Sequence, residues 1–126
     1  MFEVAVRRSF TSFHTLFGGD WGAENQHHSH DYLLEVVCHG AEVDQHQYLF
    51  DISVLEKHLE AFIDTVRGKS LNDLPGFEGK NPSIELFARV AAERLKPALA
   101  TQKSLSGFKV VIWEHAQAWA SFHQPL

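Results

Sequence analysis

The segment His28-Ser29-His30-Asp31-Tyr32-Leu33-Leu34-Glu35-Val36-Val37-Cys38 combines strand-forming residues with a pair of imidazoles. From Tyr32 to Val43 the strand formers are Leu33, Leu34, Val36, Val37 and Val43. A strand turns alternate side chains to opposite faces. His28, His30, Leu34, Val36 and Cys38 therefore share one face if the strand starts at the histidines. Imidazoles that point where the core points need hydrogen bonds or a metal ion. Two on one face, joined by a third from a neighbouring strand, set three nitrogen donors on one side of a metal. The far side stays open, as a catalytic zinc requires. Three histidines without a cysteine or carboxylate suit Zn(II) best, with other borderline divalent ions as alternatives. The competing reading is a solvated loop, because a chain with nine histidines can bind metal incidentally. Cys38 reads as a small core residue.

Upstream, Phe2, Val4 and Val6 alternate with Glu3, Ala5 and Arg7, a period-two strand that continues through Phe10 towards Phe13 and His14. Leu16-Phe17-Gly18-Gly19-Asp20-Trp21-Gly22 reads as a loop, because its glycines break regular structure. Glu24 follows in the same loop, four residues before His28. Downstream, residues 44–48 form a polar turn. Asp51, or Ser53 with Glu56 as a capping box, starts a helix with the stripe Leu55, Leu59, Phe62, Ile63 and Val66. Gly68 ends it. After a long turn over 71–80, Asn81 as cap and Pro82 as first helical residue start a second helix. Its stripe is Ile84, Phe87, Ala88, Ala91 and Leu95, and Lys96-Pro97 closes it. Phe108, Val110, Ile112 and Glu114 alternate with Lys109, Val111 and Trp113 in a third strand, and Trp119 to Phe122 form a fourth.

The order ββααββ predicts an α+β domain, a four-stranded antiparallel sheet with two helices on one face. At 126 residues the whole chain, 1–126, reads as one domain with enough apolar content, 44%, for a real core. A net charge of −5 offers no basic stripe for nucleic acid. No segment has the apolar length to span a membrane, residues 1–8 lack a signal-peptide run, and a lone cysteine fits a reducing compartment. The expectation is a cytoplasmic domain. Glu114 shares parity with buried positions, so it lies either at the strand end in water or as a bidentate acceptor for a guanidine-like ligand edge.

Phe10-x-x-x-His14, His28-Ser29-His30-Asp31-Tyr32, Phe50-Asp51-x-x-x-Leu55, Leu71-Asn72-Asp73, Asn81-Pro82-Ser83-x-Glu85 and Trp113-Glu114 follow one another over nearly the whole chain. Together they resemble the 6-pyruvoyl-tetrahydropterin synthase and 6-carboxy-tetrahydropterin synthase family. The resemblance implies a tunnelling (T-) fold and self-association into hexamers built as two trimers, with sites at subunit interfaces. It implies zinc on His14, His28 and His30. It also implies that Glu114 anchors the 2-amino and N3 edge of a pterin and that Ser83 belongs to the substrate-binding residues. The family substrate is 7,8-dihydroneopterin triphosphate. Folate, queuosine-type deazapurine and tetrahydrobiopterin routes share the scaffold.

The chain departs from the family at informative places. His-Ser-His replaces His-Gly-His, Glu24 stands where the family has a catalytic cysteine, and Arg67-Gly68 fall where it has an Asp-His pair. Members with glutamate at the cysteine position cleave the substrate side chain to 6-hydroxymethyl-dihydropterin. Glu24, desolvated in a closed pocket so that its pKa rises, would be the general base in such a lyase. The alternative for Glu24 is a solvated loop carboxylate. His27, His46 and His115 are candidates to replace the lost histidine. Three readings follow: a zinc-dependent pterin lyase with Glu24 as base, a non-catalytic binder of a pterin or purine-like ligand that keeps metal and anchor, and a metal-binding structural oligomer.

Overall fold

Alternation of apolar and polar residues produces β1 (Phe2–His14), whose inward set Val6, Phe10, Ser12 and His14 is buried. In the computed structural model, which describes residues 1–126, β1 pairs antiparallel with β2 (His28–Gly40). That register sets His14 opposite His28 and Ser12 opposite His30. β2 pairs in turn with β3 (Gly107–His115), and β3 with β4 (Ala118–Pro125), giving an antiparallel sheet in the order β1-β2-β3-β4. Between the two hairpins lie α1 (Ile52–Val66) and α2 (Ile84–Leu99), so the chain order is ββααββ.

Each helix buries one stripe. α1 buries Leu55, Leu59, Phe62, Ile63 and Val66, the five positions its spacing predicts. α2 buries a broader face, with Phe87 at its centre. The Phe87 ring meets Phe10, Tyr32, Phe62 and Phe77 at centroid distances of 5.8, 5.2, 6.4 and 5.7 Å. All four contacts are edge-on or tilted, the geometry aromatic quadrupoles favour. This cluster joins both helices to β1 and β2 beneath the histidines. Both helices lie on the inward face of the sheet; the opposite face carries the ion pair Arg7–Glu35 (2.9 Å) and Trp119, which is 54% exposed.

Some boundaries differ from those the sequence suggests. β2 begins at the histidines and ends at Gly40, so Val43 is outside it; a side chain at Gly40 would collide with the Ser104 carbonyl. Asp51, not Ser53, caps α1, its carboxylate accepting from the Ser53 N–H at 3.0 Å. α2 is capped by Ser83, whose hydroxyl accepts from the Leu86 N–H at 3.1 Å. Asn81 and Pro82 precede that cap, because the Asn81 amide is engaged with Phe17. Pro97 does not close α2 but sits in its last turn. Burial of Leu95 and Leu99 on either side outweighs the backbone bond that proline lacks. β4 extends beyond Trp119–Phe122 at both ends, pairing with β3 from Gly107↔Pro125 onwards.

Candidate metal centre

The strand register gathers three imidazoles. His28 and His30 lie two residues apart on β2 and turn inward together, and His14 faces them from β1. Glu24 reaches them from the 3-10 turn Gly22–Asn25. The donor atoms of His14, Glu24, His28 and His30 all lie within 4.8 Å of one another. Glu24 Oε2 is 3.2 Å from His14 Nε2 and 2.5 Å from His28 Nε2, and its Oε1 is 3.5 Å from His30 Nε2. His28 Nε2 and His30 Nε2 are 3.1 Å apart. Three imidazole nitrogens and one carboxylate are borderline donors that fit a divalent ion such as zinc.

The remaining ring nitrogens explain why the Nε2 atoms converge. His14 Nδ1 lies 3.2 Å from the Pro82 carbonyl, and His28 Nδ1 lies 2.6 Å from the Gln26 carbonyl. A carbonyl only accepts, so both Nδ1 atoms carry hydrogen, and Nε2 is the nitrogen left to bind a metal. The Tyr32 hydroxyl is 3.2 Å from His14 Nδ1 as a further partner. His14 itself is only 3% exposed. Burial, reinforced by the neighbouring His28 and His30, lowers its pKa below the usual histidine value, against an opposing bond to Glu24. It is held neutral, as a ligand must be.

The electrostatics of Glu24 reverse the sequence expectation. Burial raises its pKa, but contact with His14 and the proximity of His28 and His30 together outweigh burial, and the net direction is downward. Glu24 is therefore an anionic carboxylate among the imidazoles and a member of the possible donor set. Its spacing of four from His28, and its place where the family has a catalytic cysteine, are the sequence signals that bring it to the site. Burial, together with Glu114 and Glu24, holds the Tyr32 hydroxyl protonated, and burial pushes the Cys38 thiol up to about 12, consistent with an inert core cysteine.

Glu114, near the C-terminal end of β3, places Oε1 3.0 Å from His30 Nε2. Beside it opens a cleft of about 490 Å³ whose walls include His14, Glu24, Asn81, Ser83, Glu85 and Glu114. This is within the usual range for small-ligand sites. The structure thus brings all six predicted site residues to one place, with Ser83 doubling as the helix cap. A larger cavity of about 740 Å³ lies at the other end of β1, around Phe2, Tyr48 and Ile52, and contains no histidine. The titratable donors converge at the smaller cleft. Arg67 and Gly68 sit at the end of α1, where Arg67 pairs with Asp64 at 2.6 Å and supplies nothing to the cleft. His27 faces away and stacks on Phe13, and neither His46 nor His115 joins the cluster.

A sequence model of the family 6-pyruvoyl tetrahydropterin synthase matches residues 3–125. Among curated proteins, none matches the chain in sequence. Solved structures are similar along almost its full length. The 6-pyruvoyl tetrahydropterin synthase of Caenorhabditis elegans is 26% identical with a TM-score of 0.81, over 98% of this chain and 96% of that one. The enzyme of that name from Plasmodium vivax is 18% identical with a TM-score of 0.79, over 98% of each chain. Two further structures of the P. vivax protein are described as catalytic-residue mutants in which a glutamate is replaced by alanine or cysteine.

Acid should act on this cluster in a defined direction. The lowered His14 value means that the unfolded chain binds more protons below about pH 6.5, so stability falls as pH drops through that region. The lowered Glu24 value adds a second loss below about pH 4.5. Thermal melting of metal-free protein is expected to show a falling midpoint between about pH 7 and about pH 5.5, with a smaller fall in His14→Gln. An equal fall in both proteins would contradict the assignment to His14.

Proposed function

The chain belongs to the 6-pyruvoyl tetrahydropterin synthase family, and from that premise we propose that it is a zinc-dependent pterin lyase acting on 7,8-dihydroneopterin triphosphate or a close relative. The observation that carries the proposal is the Glu24 carboxylate standing against all three imidazoles at the wall of the cleft. The catalytic glutamate named for the P. vivax protein gives a precedent for carboxylate chemistry in this fold. His14, His28 and His30 would hold zinc, which supplies Lewis-acid polarisation of side-chain hydroxyls.

Glu24 takes the proton of the second side-chain hydroxyl. As that oxygen becomes a carbonyl, the bond between the first and second side-chain carbons breaks, and its electron pair passes into the ring system. The proton returns to the first carbon, giving 6-hydroxymethyl-dihydropterin and a phosphorylated two-carbon aldehyde. No oxidant is needed. Glu114 anchors the ring by accepting from its 2-amino and N3 hydrogens, and Ser83 lines the same wall. A His30 Nε2 engaged as a ligand carries no hydrogen to donate, which frees both Glu114 oxygens for this task.

A second reading has its own observation. Glu24 stands where an open coordination position would be, and four protein donors are typical of a structural zinc. On that reading the chain binds a pterin or purine-like ligand without turnover. The two are separated by incubating zinc-loaded protein with 7,8-dihydroneopterin triphosphate and identifying every pterin by mass. The lyase releases 6-hydroxymethyl-dihydropterin. Glu24→Ala lowers kcat about a hundredfold or more, and Glu114→Ala weakens binding by about 2 kcal/mol, roughly thirtyfold. Bound but unchanged substrate would establish the non-catalytic reading. A 6-pyruvoyl or 6-carboxy product would keep the lyase class but reject side-chain cleavage.

We also propose self-association, as a hexamer built from two trimers. β1 and β4 are edge strands, no helix covers the outer sheet face, and the Trp113 Nε1–H beneath it has no partner within the chain. Sedimentation should report about six copies; a monomer at micromolar concentration would contradict this.

A further inference from the structure

Glu24 lies on a connection without a buried anchor. None of residues 15–26 is buried, so hydrogen bonds and not core packing must fix where the carboxylate points. Two side-chain amides supply those bonds. The Thr15 N–H donates to Asn72 Oδ1 at 2.8 Å, and Asn72 Nδ2 donates back to the Thr15 carbonyl at 2.8 Å. Two residues on, the Phe17 N–H donates to Asn81 Oδ1 at 2.9 Å, and Asn81 Nδ2 donates to the Phe17 carbonyl at 2.9 Å. An amide that exchanges both bonds with one residue does what the opposing residue does in an antiparallel ladder.

The clamps follow directly on a parallel pairing between β1 and residues 68–70. Gly68 N–H donates to the Thr11 carbonyl at 2.7 Å, and the Phe13 N–H donates to the Lys69 carbonyl at 2.9 Å. Positions 11, 13, 15 and 17 are thus held in succession, the last two by side chains. Leu16, between the clamped residues, turns its N–H the other way and donates to the Glu24 carbonyl at 2.9 Å. Asn25 Nδ2 closes the turn by donating to the Leu16 and Gly19 carbonyls at 3.2 and 3.0 Å. Pro82, beside Asn81, offers the carbonyl that orients His14.

We propose that Asn72 and Asn81 are positioning residues that substitute for a strand along residues 15–17 and thereby set Glu24 against the three imidazoles. This rests on Glu24 as a working member of the site, but on neither the pterin nor the lyase reaction. The backbone that carries His14, His28 and His30 is held by the β1–β2 ladder, so loss of the Asn72 amide displaces Glu24 selectively; loss of Asn81 also loosens Pro82, whose carbonyl orients His14.

The test is zinc affinity, measured by competition with a chromophoric chelator on the full chain. The proteins are the wild type, Asn72→Ala, Asn81→Ala, Glu24→Ala and the two doubles with Glu24→Ala. Each asparagine variant is expected to weaken zinc binding about tenfold or more with Glu24 present. In the Glu24→Ala background the further loss from Asn72→Ala should stay within about twofold, because that amide then has nothing to position, and the loss from Asn81→Ala should shrink to the part that acts through Pro82 and His14. For either asparagine, equal losses in both backgrounds, or no loss with Glu24 present, would overturn the proposal. Asn72→Leu and Asn81→Leu keep the side-chain volume and replace any alanine variant that does not fold. The readout needs no substrate, so absence of turnover in the wild type would sink the lyase reading and leave this result standing.

Discussion

The antiparallel ladder between β1 and β2 is the constraint on which the site depends. Because His14 and His28 are direct cross-strand partners and His30 follows at the next inward position, one register sets three imidazoles on one face. A slip of one residue would turn an entire strand over. The core opposes that slip: Phe10 and Tyr32, partners in the same ladder, stack at 5.7 Å and pack on Phe87. Packing below and ligand geometry above are therefore set by the same pairing.

The fourth donor is held differently. His14 is buried and neutral, its orientation fixed by the Pro82 carbonyl. Glu24 is partly exposed and lies on a hydrogen-bonded turn. Rigid imidazoles and a loop-borne carboxylate suit a division of labour, in which the strands hold an ion and the loop carries the group that moves a proton. Glu114 completes the picture from β3 as a carboxylate at the edge of the same cleft.

Much of this was legible in the sequence where a single period governs. Alternation in β1 and β2 gave the face of each histidine, and the α1 stripe matched burial residue for residue. What escaped depends on contacts between distant residues. Asn81 is the cap that the sequence suggests for α2, but Ser83 holds that place because Asn81 is drawn to Phe17, a partner 64 positions away. Lys96-Pro97 looks like a stop in the sequence, yet burial of Leu95 and Leu99 carries the helix through it. For Glu24 the sequence suggests either a base whose pKa burial raises or a solvated loop carboxylate. Its pKa is instead lowered, because three imidazoles assembled from two strands outweigh that burial. Local sequence carries no trace of such a sum.

The central claim is that His14, His28 and His30 form one metal centre through Nε2, with Glu24 beside it. The most direct measurement is anomalous diffraction at the zinc edge on crystals of zinc-loaded protein. The account predicts a single strong peak about 2.0–2.1 Å from each of the three Nε2 atoms. A peak bound through Nδ1, a peak outside the cleft, or no peak at stoichiometric zinc would contradict it.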